Sequence, residues 1–237
     1  MVLPIVIIPG YLENAIAYRP LEVELHKRGL TVTTVAMRRR DWLETIASRS
    51  VVSVLEKLDQ TIQQVQRVSN SEQVNLLGHS AGGWIGRIYL GEIPYGRSDR
   101  QFIRKAVPTI STLVTLGTPH TSQERWTRGN LDFVNTNYPG AFYPHVRYVC
   151  VGGKSVFGQR YGRNWFAYSS YQQTCGNGAT WGDGITPLCS AHLAGAENIT
   201  VEGVLHSPRS PGIWYGSPEV VKKWVGYLEQ EAGDGEK

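Results

Sequence analysis

Cysteine is scarce in this chain: Cys150, Cys175 and Cys189 are the only three among 237 residues. Three is an odd number and too few for a disulfide scaffold, so the fold must rest on a hydrophobic core. With no export signal recognised, the expectation is reduced thiols in a cytoplasmic setting, and a bridge between Cys175 and Cys189 stays open. Long apolar runs are also missing. The longest, Val2 to Ile8, is interrupted by Pro4 and falls far short of the roughly 20 residues of a membrane-spanning helix. It lacks the basic start and small-residue cleavage site of a secretion signal and reads instead as a buried strand. Charge of one sign is in small excess: 24 basic against 20 acidic residues leave a net +4. The basic residues gather at Arg38-Arg39-Arg40 and between Arg97 and Lys105. Solvated faces account for both clusters; contact of the Arg38 run with a phosphate, a carboxylate or an anionic lipid surface is the lesser alternative. No nucleic-acid-binding motif accompanies the charge, so no nucleic-acid partner is expected, whereas weak membrane-surface contact is compatible with it. There are no internal repeats or low-complexity segments. What remains is ordinary for one globular domain over residues 1–237: 41% hydrophobic residues and a mean hydropathy of −0.26.

The order of elements points to an α/β fold. Ile5 to Ile8 is a short apolar run stopped by Pro9-Gly10, as a fully buried strand would be. Tyr18 to Arg28 places Leu21 and Leu25 four apart and closes at Gly29, which predicts an amphipathic helix. Leu30 to Met37, rich in Val and Thr, predicts a second strand. Across Val51 to Val68 the positions Val51, Val54, Leu55, Leu58, Ile62 and Val65 follow three-and-four spacing, the clearest helix in the chain. Val74 to Leu77, Thr112 to Leu116, Val146 to Val151 and Ile199 to Val204 read as further strands. Helices fit Trp84 to Leu90 and Pro218 to Glu231, and Ala232 to Lys237 reads as a frayed tail. Strands alternating with helices imply right-handed crossovers, hence a mostly parallel central sheet with helices on both faces. Such a sheet binds ligands beyond the carboxyl ends of its strands. That rule gathers Pro9-Gly10-Tyr11, the Arg38 cluster, Ser80 and Thr118-Pro119-His120 on one edge.

Two aromatic-rich stretches break the alternation, at about 121–143 and about 152–181. Both read as loop insertions over the ligand-binding edge, and a loop that long usually has a function. One reading is a cap or lid lining a pocket, with Trp165 and Phe166 as candidate substrate contacts. The other is a pair of surface loops tucked down by their own aromatics.

Between the strand Val74 to Leu77 and the helix Trp84 to Leu90 stands Gly78-His79-Ser80-Ala81-Gly82. A serine on a sharp strand-to-helix turn has a crowded backbone, so small neighbours are needed for its Oγ to stand clear of the sheet. This is the pattern of a nucleophile elbow. A serine hydroxyl is a poor nucleophile near neutral pH; it needs a base within reach and a third group to fix that base's tautomer. His206, just past the strand Ile199 to Val204, is the candidate base, with His120 and His192 as competitors. His26 falls in a surface helix, His145 precedes a strand, and His79, inside the elbow, is a candidate substrate contact. Asp183, between Gly182 and Gly184, can point inward from a tight turn and is the candidate acid; Asp41 and Asp132 have no comparable setting. The chain order Ser80, Asp183, His206 is that of folds built around such an elbow. Two backbone N–H groups must also face the developing oxyanion. Ala81 supplies one and Tyr11 the other, with Leu12 as alternative donor and candidate substrate contact.

Pro9-Gly10, Gly78-His79-Ser80-Ala81-Gly82-Gly83, Leu116-Gly117-Thr118-Pro119-His120, Gly182-Asp183-Gly184-Ile185-Thr186-Pro187 and Gly203-Val204-Leu205-His206 together span residues 3 to 206. In these pieces the chain resembles the α/β-hydrolase superfamily of lipase and esterase type, and is similar within it to small lipases and GPI inositol-deacylase-like hydrolases. The resemblance implies an α/β-hydrolase fold and a serine hydrolase acting on acyl or lipid esters through an acyl-enzyme. It puts Ser80, Asp183 and His206 in the catalytic positions, and implies no cofactor and no metal. Where the family often has His-Gly, this chain has Pro9-Gly10, which alters the hydrogen bonding of the oxyanion loop but not its backbone donor. An acyl thioesterase would use the same residues on a thioester, and a non-catalytic relative would bind a small hydrophobic ligand.

Overall fold

The computed structural model describes residues 2–48, 50–104 and 107–229. Its strands are β1 (Ile5–Ile8), β2 (Val32–Thr34), β3 (Val74–His79), β4 (Tyr95–Arg97), β5 (Arg100–Phe102), β6 (Ile110–Leu116), β7 (Arg147–Lys154), β8 (Val156–Phe157), β9 (Trp181–Gly182) and β10 (Glu197–Glu202). Its helices are α1 (Arg19–Lys27), α2 (Asp41–Ser48), α3 (Val52–Ser69), α4 (Ala81–Leu90), α5 (Arg128–Asn137), α6 (Trp165–Cys175), α7 (Leu188–Ala191), α8 (Pro218–Trp224) and α9 (Gly226–Glu229). Six strands form one sheet in the order β10-β7-β6-β3-β1-β2, and every neighbouring pair is parallel. The pairs β4-β5 and β8-β9 are antiparallel and stand outside it.

The central strands of the sheet are buried on both faces, which explains why β1 is a continuous apolar run. Val6 and Ile8 face one core, shared with Trp42 of α2 and the inner sides of α3 and α4. Ile5 and Ile7 face the other, shared with α1, α8 and α9. The predicted stripe of α3 is the one it buries, with Val51 standing at the N-cap. The expected last helix divides at Val225 into α8 and α9, and its final residues and the tail Ala232 to Lys237 lie outside the described residues. All three cysteines are free thiols. Among the described residues no helix is long and apolar enough to cross a membrane.

The two aromatic stretches correct the loop reading. Within 121–143 lies α5, whose Leu131 and Val134 join Tyr138 and Tyr143 in the core beneath α4. The buried Arg87 of α4 pins this segment: Nη1 donates to Asn135 Oδ1 at 2.9 Å and Nη2 to the Tyr138 carbonyl at 2.9 Å. Within 152–181, residues up to Lys154 complete β7, and eleven residues form α6. Trp165 and Phe166 are exposed while Ala167 and Tyr171 are buried, so no apolar stripe of helical period marks α6 in the sequence.

Candidate active site

β3 ends at His79 and α4 starts at Ala81, leaving Ser80 alone at the turn with φ 52° and ψ −122°. Such a conformation costs a non-glycine residue about 1–3 kcal/mol and persists only where its surroundings impose it. Here the imposition is steric. A Cβ on Gly78 would stand 2.5 Å from the Gly83 backbone, one on Gly82 would fall on the Ile8 carbonyl, and one on Gly83 on the Thr118 hydroxyl. Thr118 Oγ1 donates to the Ser80 carbonyl at 2.8 Å, and the Ser80 N–H donates to Leu116 O at 2.8 Å. The elbow is thereby stapled to the end of β6.

Three residues distant in sequence meet at this turn. Ser80 Oγ lies 3.0 Å from His206 Nε2, and His206 Nδ1 lies 2.7 Å from Asp183 Oδ2. Asp183 follows β9 in a turn that closes on its own side chain: Oδ1 accepts from Ile185 N at 3.0 Å and Thr186 N at 2.7 Å. Its other oxygen also accepts from Tyr215 OH at 2.7 Å. The His206 N–H donates to the Asp183 carbonyl at 3.0 Å, tying the two backbones together. Burial alone would raise the Asp183 carboxyl; the charge and hydrogen bond of His206 and the two amides outweigh it and hold the group below its ordinary value. The carboxylate therefore stays ionised and can only accept. A neutral His206 must then carry its proton on Nδ1, which turns the Nε2 lone pair to Ser80.

A second buried chain runs behind the first. Gly10 N–H donates to Tyr18 OH at 2.7 Å, Tyr18 OH stands 2.7 Å from His79 Nδ1, and His79 Nε2 stands 2.9 Å from the His206 carbonyl. A carbonyl only accepts, so the His79 proton is on Nε2 and Tyr18 donates to the bare Nδ1. Burial, reinforced by the neighbouring His206, lowers His79 to about 3, so its ring is neutral. His79 is 2% exposed and does not line the cavity. This corrects its expected role as a substrate contact: it is a spacer joining the Gly10 loop, the elbow and the loop of His206.

A cavity of about 500 Å³ opens at Ser80 and His206. Tyr11, Leu12, Ala81, Trp84, Trp126, Phe166 and Ile185 line it, with Glu124, Ser170 and Gln173 among its polar groups. The Tyr11 ring packs on Trp126 at 4.3 Å and on Trp42 at 5.2 Å between centroids. Leu12 takes a positive φ of 58°. Among the described residues neither the Tyr11 nor the Ala81 N–H donates to a protein acceptor. Of the expected substrate contacts, Leu12 and Phe166 line the cavity and Trp165 does not.

The competing histidines are engaged elsewhere. His120 is buried with Nε2 against Thr115 Oγ1 at 3.2 Å and Cys150 Sγ at 3.3 Å, and His192 Nε2 faces Thr200 Oγ1 at 3.4 Å. Arg38, Arg39 and Arg40 are exposed. Among the described residues no cluster of three or more His, Cys, Asp or Glu could hold a metal ion. Nothing in the sequence singles out Tyr18 or Tyr215: each hydroxyl reaches the site only through the fold, and the tyrosines stand in no motif.

No family model and no curated protein matches this chain. Solved structures do. The mature form of lipase BlEst2 from Bacillus licheniformis is 16% identical with a TM-score of 0.68, over 97% of this chain and 93% of that one. Phospholipase PlaB from Legionella pneumophila is 13% identical with a TM-score of 0.63, over 98% of this chain and 61% of that one. The monoacylglycerol lipase of Paleococcus ferrophilus is 13% identical with a TM-score of 0.57, over 96% of both chains. At these identities the likeness is one of fold. The chain has the α/β-hydrolase fold.

Proposed function

We propose that this protein is a serine hydrolase that cleaves carboxylic esters, of acyl or lipid substrates, through an acyl-enzyme. The observation that carries the reading is the run of contacts from Ser80 Oγ through His206 to an ionised Asp183, opening on an aromatic-walled cavity. In the first step Ser80 Oγ attacks the acyl carbon while His206 Nε2 takes its proton. The ester C–O bond then breaks and the alcohol leaves with that proton. Water, deprotonated by His206, next attacks the acyl carbon; the bond to Ser80 Oγ breaks, His206 returns the proton to Oγ, and the acid product leaves. The N–H groups of Tyr11 and Ala81 receive the oxyanion, a donor of this kind being worth about 10²–10³ in kcat. Leu12 and Phe166, with Trp84 and Trp126, contact the substrate. The similar fold of a monoacylglycerol lipase and a phospholipase accords with ester substrates. Three unpaired thiols accord with a cytoplasmic setting.

The test is the rate of hydrolysis of p-nitrophenyl esters of increasing acyl length by the wild-type chain and by Ser80→Ala. Turnover lost in Ser80→Ala, together with fluorophosphonate labelling that requires Ser80, is the expected result. Hydrolysis retained by Ser80→Ala refutes the proposal, and cleavage restricted to thioesters converts it to a thioesterase.

A further inference from the structure

Tyr215 is fully buried, and its hydroxyl stands between the Gly153 N–H, which donates to it at 2.8 Å, and Asp183 Oδ2, 2.7 Å away. The direction of these bonds is forced. An amide N–H can only donate and a carboxylate can only accept, so the phenol proton is committed to Asp183. Burial first, then the adjacent carboxylate, push the Tyr215 phenol well above its ordinary value, so this donor stays protonated. Oδ2, the oxygen facing His206, thus shares its lone pairs between His206 Nδ1–H and Tyr215 O–H, while the amides of Ile185 and Thr186 occupy Oδ1.

The ring has little freedom. The Tyr215 carbonyl accepts from Trp224 Nε1 at 3.1 Å. A Cβ on Gly117 would come within 2.7 Å of the ring and within 2.8 Å of Asp183 Oδ2. A Cβ on Gly153 would come within 3.0 Å of the Tyr215 hydroxyl. Two glycines therefore leave the space in which the phenol meets the acid.

We propose that Tyr215 is a positioning residue of the reaction proposed above: it holds Asp183 Oδ2 on the line of His206 Nδ1–H and draws off part of the charge with which the carboxylate grips the protonated base. The proposal rests on the serine hydrolase reading. Without the hydroxyl, the negative charge concentrates on the oxygen facing His206. The protonated base is then held more tightly and passes its proton to the leaving alcohol less readily. The other ionisable groups around the pair do not replace this donor. Tyr171 OH accepts from Gly184 N at 2.8 Å and donates to Val156 O at 3.1 Å. His79, with its ring 5.0 Å from that of His206, is neutral and committed to the His206 carbonyl. Arg209 and Glu13 pair with each other at 2.6 Å.

The experiment is Tyr215→Phe, which keeps the ring and removes the hydroxyl. The acid limb of kcat/KM on an ethyl ester, whose alcohol leaves only with a proton from His206, is expected to move up by about one pH unit, and kcat at the plateau to fall about tenfold, with KM within about twofold. The low-field proton resonance of His206 Nδ1–H moves further downfield. In an Asp183→Asn background the same substitution changes kcat by less than about twofold, because its effect runs through the carboxylate. Site-specific replacement of Tyr215 by fluorotyrosine, a stronger donor of nearly the same shape, moves limb and resonance the opposite way, and stands in should the phenylalanine variant not fold. An unmoved acid limb and resonance overturn the proposal, as does an equal effect in both backgrounds. A wild-type chain that neither hydrolyses esters nor takes the fluorophosphonate refutes the hydrolase reading alone; the resonance still decides the role of Tyr215.

Discussion

Asparagine at position 183 tests the site most directly, because the four donors converging on Asp183 dictate how the substitute must sit. Ile185 N–H and Thr186 N–H both require an acceptor at the place of Oδ1. The carboxamide oxygen takes that place, and its NH₂ replaces Oδ2, facing His206 Nδ1. A donor there inverts the tautomer. Neutral His206 accepts at Nδ1 and carries its proton on Nε2, aimed at Ser80 Oγ, where it cannot serve as a base. Restoring the productive tautomer against that contact costs about 4–5.5 kcal/mol, a loss of about 10³ to 10⁴ in kcat. The stranded Tyr215 hydroxyl adds about 1–3 kcal/mol of destabilisation. The assay is kcat/KM on a p-nitrophenyl ester for the wild type, Asp183→Asn and Ser80→Ala, with urea unfolding alongside to show that each variant is folded. Asp132→Asn is the control, since that carboxylate is exposed and pairs only with Arg128 at 3.4 Å among the described contacts. A folded Asp183→Asn within tenfold of wild type, or damage caused by Asp132→Asn instead, refutes the reasoning.

Gly83→Ala should lower stability by about 2–3 kcal/mol, since its Cβ falls on Thr118, and a lower urea midpoint at an unchanged m-value is the signature. Arg87→Met keeps much of the apolar stem but strips the donors from Asn135 Oδ1 and the Tyr138 carbonyl. About 2–4 kcal/mol should be lost, with faster amide exchange across 128–138 as the local readout. His79 gives the chain a pH-dependent weakness. Its folded-state value of about 3 lies below that of the unfolded chain, so its contribution is complete above about pH 6.5 and drains away as pH falls towards 3. Between pH 7.5 and pH 5 the wild type should lose about 2 kcal/mol through this one group. Urea midpoints at the two pH values check it: the pH-dependent loss in His79→Gln must be smaller by about that amount.

The parts of the fold that were legible in the sequence are those that local physics dictates. β1 is a short apolar run because a central parallel strand is covered on both faces, and β3 departs from that pattern before the elbow only at Asn75, whose Nδ2 donates to the Leu228 carbonyl. α3 shows its buried stripe because one face alone meets the core. The elbow is legible because the strained backbone of Ser80 excludes side chains at Gly78, Gly82 and Gly83. α5 and α6 were hidden for the opposite reason. Their aromatics divide between core and solvent without helical period, and Arg87 and Tyr138 bind α5 down through contacts that no local pattern announces. Trp165 and Phe166, adjacent in the chain, were both expected at the substrate, yet only Phe166 lines the cavity.

Sequence by itself determined the alternation of strands and helices, the serine on its turn between glycines, and the chain order of Ser80, Asp183 and His206, because each is written in neighbouring residues or in their succession. Tertiary structure alone decided which aromatics line the cavity, that His79 is a neutral spacer, and that Tyr18 and Tyr215 place their hydroxyls on His79 and on Asp183. Those are hydrogen bonds across 61 and 32 residues, and their partners are chosen by the crossing of distant elements.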